Sequence, residues 1–376
     1  MDILILILGL SSILIALAWL LPERWQLLPI GIGTAIFLGW IAPVSLIILL
    51  ATGVLNYYVL QKLPSLKAAT LVVVIQMCAI FIFFKLEYGL IFNITADRII
   101  PLGLSFYSFR QIHYAIEAYK RSLPKHTLLD YLSYLFFLPT ILVGPINRFQ
   151  PFLKDMKRRR WDNLMFSQGL ERILYGFVKV VVIGNFLLSK QLNVFAIQIQ
   201  EEHLWVSTYL QMLKFGANAY VQFAGFSDIA IGLSMLFGFK IIENFDSPFK
   251  AKNISDFWNR WHISLSDWCR DYVFYPFLGI TRNGTFSIIV SMLVLGLWHE
   301  ISLRYIIWGI SHAIAINIWH RYSKTPVYLT LGRVPHIQSA LGIVFTIHFV
   351  LLSFVLVKED TLTEAINIYK ILFFLN

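Results

Sequence analysis

Uncharged apolar runs close to the length of a bilayer crossing recur from one end of this chain to the other. The first, Ile3 to Leu21, contains no charged residue. About twenty apolar residues in a helix cross roughly 30 Å of hydrocarbon, and there every backbone amide has to find its partner inside the protein. Such runs, without the strict alternation of a barrel strand, predict membrane-spanning helices. They fall near 3–21, 27–40, 43–60, 68–84, 88–118 with a break around Pro101 and Gly103, 128–144, 170–189, 204–237, 284–299, 303–320 and 337–357. The 204–237 run has room for two helices, and a last piece at 365–375 is short for a crossing and suits an interface. The expected fold is all-α and polytopic, with about eleven transmembrane helices and a single membrane domain over residues 1–376.

Composition closes off the other classes. Of 376 residues, 58% are apolar and 14% charged, and the mean hydropathy of +0.69 lies well outside the soluble globular range. Ala16-Leu17-Ala18 has the look of a signal-peptidase site, but only Asp2 precedes the apolar run where a positive region would stand, so an uncleaved first span is expected. The net charge of +10 sits in short segments between the runs, Lys154, Lys157, Arg158, Arg159 and Arg160 forming the densest. The positive-inside rule and anionic headgroups account for it, and no nucleic acid is expected. Cys78 and Cys269 provide neither a disulfide framework nor paired zinc spacing. His312 and His320 share a helical face eight residues apart, with no third ligand at the right spacing, so no metal is expected. The Asn-x-Ser/Thr triplets at Asn93, Asn253 and Asn283 are no more than chance supplies.

Loop charges set the orientation. Lys154–Arg160 and Arg321, Lys324, Arg333 are basic, whereas Glu201-Glu202 and Lys358-Glu359-Asp360 are not. Counting passes from the first loop places residues 240–282 on the cytoplasmic side.

Ionisable groups at bilayer depth cost several kcal/mol unless paired or wet, so each is a candidate functional group. Three places qualify. In "FWNRWHISLSDWCRDYVF", Phe257 to Phe274, Arg260, His262, Asp267, Arg270 and Asp271 stand among aromatic rings. In "LVLGLWHE", His299 and Glu300 close an apolar run, and in "YVQFAGFSDIAIGLSMLFGF" Asp228 is the lone charge. A histidine in the low-dielectric setting expected for His299 stays neutral and keeps a nitrogen as proton acceptor, as a general base requires; a structural histidine bonded to a neighbouring helix is the alternative. An interfacial helix explains the Trp258, Trp261 and Trp268 rings, but less well the density of polar groups between them. "HISLSD", His262 to Asp267, has the spacing of the glycerolipid acyltransferases. It lacks their second block and is set aside.

Together the blocks "PLGLSFYSFRQIHYAIEAY" (101–119), "FFLPTILVGPINRF" (136–149), "FAGFSDIAIGLSMLFGF" (223–239), "NFDSPFKAKNISDFWNRWHISLSDWCRDYVF" (244–274) and "LGLWHEISLRYIIWGISHA" (295–313) resemble, in order, those of the membrane-bound O-acyltransferases. The resemblance covers about residues 100–320 and is greatest to the bacterial branch acting on cell-surface polymers. That branch passes D-alanine to teichoic acids or acetyl to alginate, and the blocks lean slightly to the D-alanyl type. The resemblance implies a central tunnel lined by transmembrane and re-entrant or interfacial helices. His299 matches the base that deprotonates an acceptor hydroxyl, and His262 the second histidine of the tunnel. Asn259, Arg260, Asp228 and Trp298 match substrate-binding or tunnel positions. Glu300 stands where the family usually has glycine, and would orient the imidazole if the side chains met. The implied donor is a thioester, on carrier-protein phosphopantetheine or coenzyme A, used as substrate rather than held as a cofactor. Implied partners are an acyl carrier protein or other donor on the cytoplasmic face, an extracytoplasmic acceptor and the lipid of a bacterial inner membrane. A transporter or flippase, or a non-catalytic scaffold for a carrier protein, is the alternative.

Overall fold

Apolar runs become helices almost throughout. The computed structural model describes residues 2–22, 25–85 and 101–375, and among these the backbone is helical apart from loops and one isolated antiparallel bridge, Phe245 to Trp261. Among the described residues, five helices are long and apolar enough to cross a membrane: Pro43–Lys62, Leu66–Lys85, Asn163–Gln198, Leu204–Leu236 and Pro335–Lys358. Leu6–Leu20, Leu28–Ile41 and Gly284–His299 are apolar but shorter. The protein is thus an all-α polytopic membrane protein. The 88–100 part of one expected span and the Asn93 triplet lie outside the described residues.

Two expectations about the spans change. The 204–237 run is a single helix of 33 residues, Leu204–Leu236, because no proline interrupts it and its glycines are tolerated where neighbours pack closely. The 128–144 run is not a span. Its helix ends at Leu135, and a 3-10 turn at Leu138–Thr140 reverses the chain. Pro139 removes an amide donor there, and polar groups of the Leu104–Tyr119 helix hold the carbonyls that the turn exposes.

Contacts divide the chain into two compact units, Met1–Tyr175 with Ser227–Ile242, and Gly176–Phe226 with Glu243–Asn376. In the first, Arg110 is buried and donates from Nη1 to the Tyr134 and Leu135 carbonyls at 3.1 and 3.4 Å. Its Nη2 donates to the carbonyl and hydroxyl oxygens of Thr140. One turn on, His113 Nε2 accepts from the Phe149 amide at 3.0 Å, at the start of the amphipathic Phe149–Arg158 helix. Gly103 has φ 76°, and a Cβ there would lie 2.5 Å from the Ile141 carbonyl oxygen, so only glycine admits this approach.

In the second unit, the Gly284–His299 and Leu303–Tyr322 helices form a hairpin. A pair of seven-residue helices, Ile254–Arg260 and Ile263–Cys269, accompanies it. Two of the Asn-x-Ser/Thr asparagines are helix caps here: Asn253 Oδ1 accepts from the Asp256 amide at 2.8 Å and Asn283 Oδ1 from that of Phe286 at 3.1 Å.

Candidate functional site

His262 is the residue at which the Phe257–Phe274 stretch breaks in two. Its backbone is left-handed, φ 44° and ψ 52°, a conformation that costs a non-glycine residue about 1–3 kcal/mol and gathers at functional sites. Hydrogen bonds on both sides hold it there. Asp246 N donates to the Arg260 carbonyl at 3.0 Å, Ile263 N to the Asn244 carbonyl at 2.9 Å, and the Leu265 and Ser266 amides to the carbonyl of His262 itself, both at 3.0 Å. Asn244 Oδ1 also accepts from Ser264 Oγ at 2.7 Å. The ring is buried against Phe223 at 4.6 Å and Trp298 at 5.8 Å between centroids. Among the described residues, no group lies within hydrogen-bonding reach of its Nε2. Burial, and then the charge of nearby His299, push the imidazole down to about 3, so it is neutral at physiological pH.

His299 is the last residue of its helix, and Glu300 after it is extended, φ −158°. The residue is exposed at the surface of the protein, at this helix end. Its flanks are aromatic: Trp298 at 4.4 Å, Tyr305 stacked at 5.6 Å, and Trp308 edge-on at 5.8 Å. Trp298 therefore packs against both histidines.

The hairpin makes this cluster possible through glycine. A Cβ on Gly309 would lie 2.6 Å from the Met292 carbonyl oxygen, and one on Gly296 would collide with the Tyr305 carbonyl. Backbone on both helices therefore approaches closely at two levels, bringing Tyr305 and Trp308 to the end of the partner helix. Gly309→Val is expected to cost about 1–3 kcal/mol by overpacking, and to move Trp308 off His299. A thermal midpoint of the purified protein checks the cost.

The other residues singled out from sequence are ion-paired or exposed. The two carboxylate oxygens of Glu300 accept from Arg304 Nη2 at 3.1 and 3.2 Å, and Arg304 Nη1 reaches the Leu356 carbonyl at 3.3 Å. Arg260 pairs with Asp256 at 2.7 Å and Asp246 at 3.3 Å, which braces the turn before His262. Asn259 is exposed. Asp267 lies 2.8 Å from Arg270 Nη2, so the carboxylate of the "HISLSD" spacing has a cationic partner. Asp228 is not alone in its apolar helix. Within the first unit, Arg172 Nε and Nη2 reach its Oδ1 at 3.0 and 2.9 Å, where the Gly169 and Gly232 backbones approach closely.

Sequence reasoning missed a second group around the hairpin. His312, weighed only as a metal ligand, is buried and accepts from Trp258 Nε1 at 3.3 Å, while its Nε2 lies 2.9 Å from Ser353 Oγ. The motif "WGISHA" held the signal, a polar residue one helical turn from Trp308.

The profile of the membrane-bound O-acyltransferase family matches residues 30–355, reaching beyond the expected 100–320 core at both ends. A probable alginate O-acetylase of Pseudomonas aeruginosa is 30% identical over 386 aligned residues, 96% of this chain and 72% of that protein. The teichoic acid D-alanyltransferase of Bacillus subtilis is 33% identical over 278 residues, 67% of this chain and 67% of its own. The peptidoglycan O-acetyltransferase of Helicobacter pylori is 28% identical over 328 residues, 77% of this chain and 60% of that protein.

Proposed function

We propose a reaction for a chain that belongs to the membrane-bound O-acyltransferase family. This multi-pass membrane acyltransferase takes an acyl group from a thioester on the cytoplasmic side of a bacterial inner membrane. It passes the group to a hydroxyl of a cell-surface polymer or its lipid-linked precursor. The thioester is carried by the phosphopantetheine of a carrier protein or by coenzyme A.

His299 removes the proton of the acceptor hydroxyl, whose oxygen attacks the thioester carbonyl. The new C–O bond forms as the C–S bond breaks, and the departing thiolate takes the proton back from the imidazole. Base catalysis of this kind contributes roughly two to four orders of magnitude in rate. His262 positions donor or acceptor. A buried ring nitrogen with no partner in reach among the described residues is a group that a substrate oxygen satisfies. The observation carrying the reading is Trp298, packed against His262 at 5.8 Å and His299 at 4.4 Å, which puts an exposed imidazole and a buried one on a single indole.

Between acetyl and D-alanyl, acetyl is the better supported acyl group. Similarity to the alginate O-acetylase runs along 96% of the chain, against 67% for the D-alanyltransferase. The test is mass spectrometry of surface polymers from cells with the wild-type protein, the His299→Ala variant or neither. Acetyl esters are expected with the wild type alone. Aminoacyl esters would overturn the acetyl choice, and esters formed by the variant at the wild-type level would overturn the assignment of His299.

A further inference from the structure

The hydrogen bonds around His312 run in one direction, and chemistry fixes their sense. An indole N–H only donates, so the Trp258 contact at 3.3 Å makes His312 Nδ1 the bare nitrogen. The ring proton then sits on Nε2, 2.9 Å from Ser353 Oγ. Ser353 gives its own hydroxyl proton to the Val350 carbonyl at 2.7 Å, which leaves Oγ to accept from His312. A single tautomer satisfies the whole chain, and Trp258, His312 and Ser353 are all buried, where an unmatched donor is costly.

This chain touches both histidines of the site at one remove. Trp258 belongs to the Ile254–Arg260 helix that leads directly into His262. The His312 ring also packs against Trp308 at 4.6 Å, and Trp308 meets His299 at 5.8 Å. Trp258 and Trp308 are themselves in edge contact at 5.9 Å. We propose that His312 is a positioning residue: by holding Trp258 and Trp308 against the Pro335–Ser353 helix, it sets the placement of His299 relative to His262. The proposal rests on the reading of His299 as the base. A histidine that merely filled the core would need neither a fixed tautomer nor contact with both tryptophans.

The experiment uses the full chain, purified in detergent and normalised to folded protein by size exclusion, with an isotopically labelled acyl thioester. Ser353→Ala removes only the acceptor of the His312 proton. His312→Asn keeps a carbonyl oxygen near the Nδ1 position for Trp258, whereas His312→Gln reaches towards Ser353 and gives up the indole. Ser353→Ala and His312→Asn are expected to lower kcat roughly tenfold, the scale of one buried hydrogen bond, with KM for the donor little changed and the thermal midpoint lowered by a few degrees, since each leaves one buried polar group unmatched. His312→Gln is expected to lose more, and Trp258→Phe should restore part of that loss by removing the unmatched donor. In a His299→Ala background, Ser353→Ala should cost nothing further, since its effect passes through the base. The same tenfold loss in that background, or wild-type rates for both Ser353→Ala and His312→Asn, would overturn the proposal. A His299→Ala enzyme as fast as the wild type would instead remove the base assignment, a different result from either.

Discussion

Replacing His299 by alanine is expected to slow acyl transfer about a thousandfold while leaving the amount and thermal stability of the protein nearly unchanged. The catalytic half of this expectation follows from the worth of a positioned base, about two to four orders of magnitude, or roughly 3–5 kcal/mol of barrier. The structural half follows from where the residue sits. His299 is exposed at the end of its helix, so truncation opens no enclosed cavity, and the ring contacts with Tyr305 and Trp308 are worth about 1 kcal/mol. His299→Gln keeps much of the bulk without the basicity and should be nearly as slow. Single-turnover transfer from a labelled thioester in purified protein reads the loss directly, and a rate within tenfold of wild type in either variant would remove His299 from the chemistry.

The membrane class was legible in the sequence because the demand of lipid on a backbone is local: each run has to satisfy its own amides. His262 and His299 were singled out because the blocks that hold them follow the family's order along the chain. What could not be read was pairing over distance. Asp228 looked alone since its partner, Arg172, lies 56 positions earlier. Glu300 stands next to His299 in sequence, but its carboxylate pairs with Arg304, four residues on, a partner that adjacency does not suggest. The exposure of His299 was likewise hidden, since an apolar run says nothing of what stands beyond its last turn.

The sequence did carry a usable signal for one missed feature. Arg110, His113 and Glu117 recur at i, i+3 and i+7 in "SFRQIHYAIEAY", a polar stripe on a helix otherwise suited to lipid, and charged groups at such depth are rarely incidental. Their tasks were invisible because the partners lie far along the chain: His113 accepts from the Phe149 amide 36 residues on, Glu117 from Gln150 33 residues on, and Arg110 donates to carbonyls 24 to 30 residues downstream. Those carbonyls belong to Tyr134, Leu135 and Thr140, around the break that turned the 128–144 run back on itself.

Arg110→Met is accordingly expected to destabilise the protein by about 3–5 kcal/mol, a large part of the stability of a typical domain. A methionine fills similar space but leaves the Tyr134 and Thr140 carbonyls without their donors, and each unsatisfied buried group costs about 1–3 kcal/mol. It also gives up the guanidinium lying 5.5 Å from the Tyr134 ring centre. Arg110→Lys should recover little, because one ammonium cannot reach the Leu128–Leu135 helix end and the Thr140 turn at once as a planar fork does. Thermal unfolding of purified protein, followed by loss of the monodisperse fraction, measures both variants. A midpoint within about 2 °C of wild type for Arg110→Met would mean that the turn closes without the arginine. Pro139 and the approach of Gly103 to Ile141 would then be sufficient to form it, and a lysine variant as stable as the wild type would show that charge there matters more than the fork.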